Sequence, residues 1–283
     1  MKSYYFLTLF IYAIFSLSSC SSSDDNSDNI QDDLGELIKI QDITTNNHTL
    51  ELYNKSGMFY TGYNSIILRV KDNATETYFE NISIDWTPVM DMITMKHSCP
   101  YSTFSKLENS NTLYQASVIY QMTNSDSSGW TLNFNYTING DEYVASDIIT
   151  VHQASVQNVT SFQGSDDSRY VFALLAPQEP KIGINAITVG VFKMESMMKF
   201  PPVEDFKIEL DPRMPGMGNH SSPNNINPEY SNLDNLYHGD LSLTMSGYWK
   251  LNFKLFNTED SLIKGEDITD TNESSSLYLE IEF

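Results

Sequence analysis

Apolar and polar residues alternate along most of this 283-residue chain, in short runs separated by Asn, Ser, Gly and Pro. Alternation places every second side chain on one face of an extended strand and is typical of half-buried β-strands. No long segment has the 3.6-residue period of an amphipathic helix, so the pattern predicts an all-β protein with antiparallel strands. The predicted strands cover residues 37–43, 65–70, 78–86, 113–122, 130–138, 143–151, 170–175, 186–192, 206–210, 237–245, 249–256 and 276–283.

The same landmark residues occur twice, in the same order and at a nearly constant offset. The matched pairs are Gly62 and Gly183, Asn64 and Asn185, Pro88 and Pro212, Met90 and Met214, His97 and His220, Tyr114 and Tyr237, Met122 and Met245, and Trp130 and Trp249. Self-similarity of this kind indicates an internal duplication. We therefore predict two tandem antiparallel β-sandwich domains, immunoglobulin-like or cupredoxin-like, over residues 37–154 and 157–283.

The beginning of the chain has the form of a lipoprotein signal. An uncharged apolar run precedes a Leu-Ser-Ser-Cys sequence that ends at Cys20, and the run is too short to span a bilayer comfortably. We predict a signal peptide over residues 1–19, a lipid-anchored Cys20 and an acidic flexible tether over residues 20–36. The protein would then be an outer-membrane lipoprotein that faces either the periplasm or the cell surface.

Charge and cysteine content exclude two kinds of interaction. The chain has 37 acidic and 16 basic residues and a formal net charge of -21, and nucleic acid is therefore not an expected partner. If Cys20 carries lipid, Cys99 has no second cysteine with which to form an intramolecular disulfide. We expect Cys99 to be a buried, inert thiol.

Methionine and histidine recur together behind the matched prolines. A proline removes a ladder donor, so we predict that Pro88 and Pro212 end their strands and that the methionines after them lie in loops. Thioether and imidazole groups together select copper over hard cations. The predicted copper ligands are Met90, Met92, Met95, His97 and Met122 in the first copy and Met214, Met217, His220 and Met245 in the second. The open alternative is that these methionines are packing or contact residues.

The second copy resembles the YtkA-like domain, an extracytoplasmic β-sandwich similar to FixH-type copper-binding modules. The residues that carry the resemblance are Gly183, Asn185, Pro212, Met214, Met217, His220, Tyr237, Gly239, Met245, Gly247 and Trp249. The first copy departs from the pattern, because Ala116 replaces Gly239 and the spacer from Met122 to Gly129 is longer. The resemblance implies a β-sandwich that binds copper or exchanges it with another copper-handling envelope protein.

Catalytic motifs are missing from the sequence. It contains no G-x-S-x-G elbow, no H-E-x-x-H and no glycine-rich phosphate loop, so we predict that the protein is not an enzyme. Two function classes remain open. In the first, each domain binds copper or hands it on at the cell envelope. In the second, the chain is a non-catalytic surface lipoprotein whose sandwiches bind protein or glycan.

The Leu-Ser-Ser-Cys sequence generates a prediction about anchoring. Replacing Cys20 with Ala removes the thiol that accepts the lipid, so we expect the variant to lose fatty-acid labelling and to remain uncleaved or soluble. Metabolic labelling with a radioactive fatty acid measures this outcome. A Cys99→Ala variant is the control and should label like the parent. Persistent labelling of the Cys20→Ala variant would refute the lipid anchor.

Overall fold

The structure is a computed structural model that describes residues 34–126 and 128–283. Over these ranges the chain is almost entirely β and contains one short 3-10 turn and no α-helix. The predicted signal peptide, Cys20 and most of the predicted tether lie outside the described residues. Within the described part, no helix is long and apolar enough to cross a membrane.

Twenty-one strands make up the described chain, and we refer to those before and after residue 155 as repeat 1 and repeat 2. Repeat 1 contains β1 (Ile38–Thr44), β2 (His48–Asn54), β3 (Phe59–Tyr60), β4 (Gly62–Asp72), β5 (Ile82–Met92), β6 (Met95–His97), β7 (Ser105–Lys106), β8 (Tyr114–Tyr120), β9 (Ser128–Ile138), β10 (Asp141–Ile149) and β11 (Val151–His152). Repeat 2 contains β12 (Val159–Gln163), β13 (Arg169–Ala176), β14 (Gly183–Lys193), β15 (Lys207–Met214), the 3-10 turn (Pro215–Met217), β16 (His220–Ser221), β17 (Ile226–Ser231), β18 (Leu236–Leu243), β19 (Tyr248–Phe256), β20 (Leu262–Lys264) and β21 (Tyr278–Glu282).

Both repeats have the same strand order. In repeat 1 one main sheet has the order β1-β2-β4-β8-β7, the other has the order β10-β9-β5-β6, and β3 and β11 form a separate parallel pair. In repeat 2 the first sheet is β12-β13-β14-β18-β17, and in the second β16, β15 and β19 are followed by β20 and β21, which pair with different parts of β19. Strands β2, β4, β8 and β7 correspond to A, B, E and D of an immunoglobulin sandwich, and β5, β9 and β10 correspond to C, F and G. The predicted tandem antiparallel sandwiches are confirmed.

Each sandwich closes over its own hydrophobic core. Trp86, Trp130 and Phe134 are at most 1% exposed in repeat 1, and so are Trp249 and Phe253 in repeat 2. Buried and more exposed residues alternate along the middle of β9, because its inner face packs on the core while its outer face meets solvent. Burial of side chains of this size stabilises the fold by about 2–3 kcal/mol each.

The matched asparagines close the same turn in both repeats. Asn64 Oδ1 accepts a hydrogen bond from the Tyr60 amide at 3.0 Å, and its side-chain nitrogen donates to the Tyr60 carbonyl at 2.7 Å. Asn185 makes the same two bonds with Lys181, at 3.0 and 2.7 Å. The glycine two residues before each asparagine has a φ of +90° in repeat 1 and +111° in repeat 2, a conformation that favours glycine.

The matched tyrosines connect the two sheets of each sandwich. The Tyr114 hydroxyl on β8 donates to the Glu80 carbonyl at 2.6 Å and accepts from the Ile82 amide at 3.0 Å, where β5 of the opposite sheet begins. The Tyr237 hydroxyl on β18 makes the corresponding pair of bonds at 2.8 and 3.0 Å, just before β15. Each hydroxyl therefore holds the start of strand C against strand E.

The matched prolines do not end their strands, so this prediction is wrong. Pro88 lies inside β5 opposite Leu132, and Pro212 lies inside β15 opposite Leu251. The pairing of β6 with β5 begins at Met90, so one side of β5 is unpaired at Pro88. Proline has no amide hydrogen, but on the unpaired side of β5 no hydrogen bond between strands requires one. The strand can therefore continue through Pro88.

The two repeats meet through the outer faces of their A-B-E-D sheets. Ile119 on β8 and Val171 and Ala173 on β13 are buried together, with Tyr63 and Phe192 packed against them. The connecting segment is bonded to both repeats, since the Ala154 amide donates to the Thr61 hydroxyl oxygen of repeat 1 at 3.0 Å and the Gln157 carbonyl accepts from the Glu280 amide of repeat 2 at 2.8 Å. Apolar contact and main-chain hydrogen bonds together make this junction stiff.

The tyrosine bonds generate a prediction about stability. Tyr114→Phe and Tyr237→Phe each remove a hydroxyl that pairs with one amide and one carbonyl, at least one of them buried, so each substitution should reduce the free energy of unfolding by about 1–2 kcal/mol. Urea unfolding followed by tryptophan fluorescence measures the change. Tyr101→Phe, at a residue that is 38% exposed, is the control and should change stability little. A loss in neither buried variant would contradict the proposed connection.

Candidate functional site

Four of the predicted copper ligands lie on one hairpin in repeat 1. Strands β5 and β6 pair so that Met90 is opposite His97 and Met92 is opposite Met95. Paired residues and residues two apart share one face of a hairpin, so all four side chains are on the same face. We call residues 90–97 the methionine hairpin.

The methionine hairpin extends from the core of the sandwich into solvent. Met90 is fully buried and His97 is 9% exposed, whereas Met95 is 49% exposed and Ile93 at the tip is 83% exposed. Met92 packs at the edge of the core. The hairpin is therefore anchored by its base, and it presents an apolar tip.

His97 is held in one orientation by its neighbours. Its Nδ1 lies 2.8 Å from the Ser98 carbonyl oxygen, and its ring meets the Trp130 ring edge to face at 5.6 Å. A carbonyl oxygen can only accept, so Nδ1 carries the hydrogen and Nε2 carries the lone pair. Nε2 is thus the nitrogen of His97 that can bind a metal ion.

Repeat 2 keeps a shorter version of this arrangement. Met214 is opposite His220, as Met90 is opposite His97, and Met214 is also part of the core at 6% exposure. His220 is exposed, and Met217 lies on the 3-10 turn with 58% of its surface accessible. The feature common to both repeats is a buried methionine directly opposite a histidine, with an exposed methionine in or beside the turn that joins the two paired strands. We call this turn, between β5 and β6 in repeat 1 and between β15 and β16 in repeat 2, the C–C′ turn.

Met122 and Met245 have a main-chain role that the sequence does not reveal. The indole nitrogen of Trp130 donates to the Met122 carbonyl at 2.9 Å, and that of Trp249 donates to the Met245 carbonyl at 3.0 Å. This bond connects the start of strand F to the preceding E–F loop, in the manner of the tyrosine corner of immunoglobulin domains. It explains the matched Trp positions, whereas a main-chain carbonyl does not require a methionine side chain at Met122 or Met245.

Cys99 is buried, as expected from the sequence. Its side chain is 1% exposed, and burial raises the pKa of the thiol well above its ordinary value, so the thiol stays protonated. Burial also raises the pKa of the neighbouring Tyr120 hydroxyl, to which no hydrogen bond is assigned within the described residues. Neither group is in a state that favours nucleophilic chemistry.

The donor atoms of the methionine hairpin fit a soft metal ion better than a hard one. Within the described residues, no group of three or more His, Cys, Asp and Glu side chains is placed to hold a metal ion. Two thioethers, from Met92 and Met95, and the Nε2 of His97 share a face, and this set matches the preference of copper. Met90 and Met214 face the cores, which makes packing their first role.

A separate polar concavity lies on the outer face of the second sheet of repeat 2. Its carboxylates outnumber its cations: the Lys254 ammonium lies 2.7 Å from Glu209 and 2.6 Å from Asp267, and Arg213 beside the concavity lies 2.7 Å from Asp211. Residues 265–277, which separate β20 from β21, form one of its walls. The ion pair between Lys254 on β19 and Asp267 holds that segment against the sheet.

Sequence reasoning missed two residues of the hairpin region. Ile93 is the most exposed large apolar residue of the hairpin tip. The sequence pattern that could have indicated it is an isoleucine between two methionines at a turn. Met197, in the loop between β14 and β15, accepts a hydrogen bond from the Ser98 amide through its carbonyl at 2.7 Å. No local sequence pattern indicates that contact, because it joins repeat 2 to the end of the methionine hairpin in repeat 1.

No protein-family model and no curated protein matches the chain. The chain is similar to the solved structure of FdeC, described as an Escherichia coli adhesin, with 14% identity, a TM-score of 0.25 and coverage of 84% of this chain. It spans 64% of that structure's length. It is also similar to a titin fragment, with 9% identity, a TM-score of 0.19 and coverage of 71% of this chain and 86% of the fragment. Likenesses at this level carry no argument about function.

The core position of Met214 generates a prediction about Gly247. A Cβ at Gly247 would stand 2.8 Å from the Met214 methyl group, and Gly247 has a φ of +122°. Gly247→Ala should therefore reduce the free energy of unfolding by about 1–3 kcal/mol. At the matched Gly129 the nearest atom would be 3.4 Å away, on Asn124, so Gly129→Ala is the control and should be nearly neutral. Equal losses measured by urea unfolding would contradict the backbone strain expected for alanine at Gly247.

Proposed function

We propose that this chain is a non-catalytic, lipid-anchored envelope protein whose two sandwiches bind a protein or glycan partner through their C–C′ turns. One observation carries the proposal: both repeats place an exposed methionine at that turn. Met95 is 49% exposed beside Ile93 at 83%, and Met217 is 58% exposed. An apolar tip of this kind favours a protein partner over a glycan.

The chemistry of the tips supports a contact role. Methionine is flexible and polarisable, and it is enriched at adaptable binding surfaces and at protein interfaces. Exposed apolar groups that project from a polar surface are typical of interaction sites. The net charge of -21 favours a partner whose surface around the contact is basic.

The stiff junction supports a contact that uses both repeats. Ile119, Val171 and Ala173 bury part of the outer faces of the two sandwiches against each other, which favours a fixed spacing between the two tips. A partner with two matching sites would bind the second tip without a further loss of translational freedom. The lipid on Cys20, predicted from the sequence, would keep the protein at the membrane.

Copper binding is the second candidate, and a specific observation favours it. Each repeat has a methionine directly opposite a histidine on paired strands, and repeat 1 adds Met92 and Met95 on the same face. The residues that would hold copper in repeat 1 are Met92, Met95 and His97 through Nε2. Thioether and imidazole ligands exchange copper readily with similar sites, which suits transfer to another copper-handling envelope protein.

A pair of matched variants separates the two candidates. Met92→Leu with Met95→Leu keeps the size and apolarity of the tip but removes both thioethers, whereas Met92→Ser with Met95→Ser removes both properties. If the tip is a contact surface, the Leu variant should behave like the parent and only the Ser variant should lose binding. If the tip holds copper, both variants should lose it.

Two measurements on the full chain give the answer. A photo-cross-linking amino acid at position 93 should form an adduct in intact cells, and the adduct should persist in the Leu variant and disappear in the Ser variant. The same amino acid at position 144, an exposed site on β10, is the control. Competition with a chromophoric chelator measures Cu(I) binding, which both variants should weaken by about tenfold or more if copper is the ligand. Absence of both adduct and copper binding in the parent would refute both candidates.

A further inference from the structure

Strand β5 of repeat 1 has an edge that is open over part of its length. It pairs with β9 along all eleven residues of one edge, whereas on the opposite edge β6 pairs only with residues 90–92. On that opposite edge the Ile82 amide donates to the Tyr114 hydroxyl at 3.0 Å, and the Pro88 carbonyl accepts from the Ser98 hydroxyl at 2.7 Å. Main-chain groups alternate along an antiparallel strand, so those of the even-numbered residues of β5 point to the open edge.

Ile84 lies in the middle of the open stretch. Within the described residues, no hydrogen-bond partner on this edge is assigned to its amide or to its carbonyl. The Tyr114 hydroxyl closes one end of the stretch, and the Trp86 indole closes the other by donating to the Ser102 carbonyl at 2.8 Å. The open stretch therefore covers residues 82–86, a length of about 13 Å.

A groove of about 390 Å³ follows the open stretch between the two sheets of repeat 1. Residues 81–84 line it from strand C, and Phe104, Lys106 and Tyr114 line it from the side of strand D. Ile84 and Phe104 are half-buried at the edge of the core, so the groove has an apolar floor. We call these residues the C–D groove.

Repeat 2 fills the corresponding position with its own chain. Leu210 matches Trp86, since each lies two residues before the matched proline of its strand. The Leu210 amide donates to Asn227 Oδ1 on β17 at 2.9 Å, and β17 has six residues and packs against β15. The corresponding strand β7 of repeat 1 has two residues, and the Trp86 amide donates to the carboxylate of its neighbour Asp85 instead. This edge of strand C is therefore occupied in one repeat and open in the other.

We propose that the C–D groove binds an extended peptide segment of a partner protein, which adds a short strand to β5 along residues 82–86. The added strand supplies the main-chain donors and acceptors that this edge lacks. Its inward side chains cover Ile84 and Phe104, so the segment carries apolar residues at alternate positions. Lys106, whose ammonium lies on the rim 3.5 Å from the Asn81 side-chain oxygen, favours a carboxylate near one end of the segment. This site is independent of the C–C′ turns.

The spacing of the open main-chain groups distinguishes a peptide from other occupants. Donors and acceptors along residues 82–86 have the spacing of a β-ladder, which the main chain of another strand matches and the hydroxyl groups of a glycan do not. A second copy of this chain is disfavoured, because each copy carries a net charge of -21 and the two repel each other. A short segment of a different protein meets no such repulsion.

Selection of random peptides displayed on phage, with the detergent-solubilised full chain as the target, tests the proposal. The selected peptides should have apolar residues at alternate positions and should bind with a Kd of about 1–100 µM in fluorescence anisotropy. Ile84→Pro removes the amide at the centre of the open stretch without breaking a bond to β9, so it should weaken binding by about tenfold or more. Ile84→Val keeps the amide and is the matched control, which should bind like the parent.

A second measurement, on the parent, keeps the proposal testable if Ile84→Pro disturbs folding. A selected peptide should slow hydrogen exchange of the Ile84 amide by about tenfold or more, and it should leave the amides of Ser83 and Asp85, which face β9, unchanged. Met92→Ser with Met95→Ser should bind the same peptides like the parent, which separates this groove from the methionine hairpin. Failure to select any peptide, with or without binding of glycans on a printed array, would overturn the proposal. Unchanged exchange at Ile84, or equal binding by folded Ile84→Pro and the parent, would overturn it as well.

Discussion

Hydrogen bonds from a few large buried side chains to the main chain hold each sandwich in register. An acceptor for a Trp indole or Tyr hydroxyl in the core stabilises the fold, because an unpaired polar group there costs about 1–3 kcal/mol. In repeat 1, Trp130 meets this need at the Met122 carbonyl and Tyr114 meets it at the Glu80 carbonyl, and repeat 2 repeats both bonds. These bonds set where strand F starts and where strand C meets strand E. The position of the C–C′ turn, and therefore of its exposed methionine, depends on them.

The methionines illustrate how one residue type serves packing and exposure within a single hairpin. Met90 is buried because strand C continues past Pro88 along the core. Met95 is exposed because it lies near the tip of the hairpin, beyond the core of the sandwich. Met214 shows the same division, since its methyl group fills the space that Gly247 leaves beside it. Conservation of a Met-His pair between the copies is therefore explained first by the core. Packing in the core does not account for the exposed methionines at the turns. A binding function is therefore best assigned to those residues.

The fold could be predicted from the sequence more fully than the site. Strands β4, β8 and β9 follow the alternation of apolar residues directly, because one face of each packs on a core. The sequence did not indicate β2, a short run between asparagines with two leucines on its inner face, or β17, which contains Pro228 at a sheet edge and pairs with a bulge. The Met90-His97 pairing depends on register, which spacing alone does not specify when a strand passes through a proline. Spacing along the sequence also cannot show which main-chain carbonyl accepts the hydrogen bond of a buried indole.

The two repeats differ most on their outer faces, because the packing of the cores does not determine which residues lie there. On the A–B face of repeat 1, burial alone would raise the pKa of Glu51, but hydrogen bonds from Tyr53, Lys39 and Arg69 lower it to about 2. That carboxylate stays charged at any physiological pH, and its partners satisfy it without a neighbouring domain. The same face of repeat 2 is apolar and needs a neighbour, which repeat 1 provides. A charged first face and an apolar second face give the pair a direction, because the apolar face of repeat 2 packs on repeat 1 and the corresponding charged face of repeat 1 does not need such a neighbour. When the outer face of one copy of a duplicated domain is charged and that of the other is apolar, the two copies can form one defined pair instead of a longer row of domains.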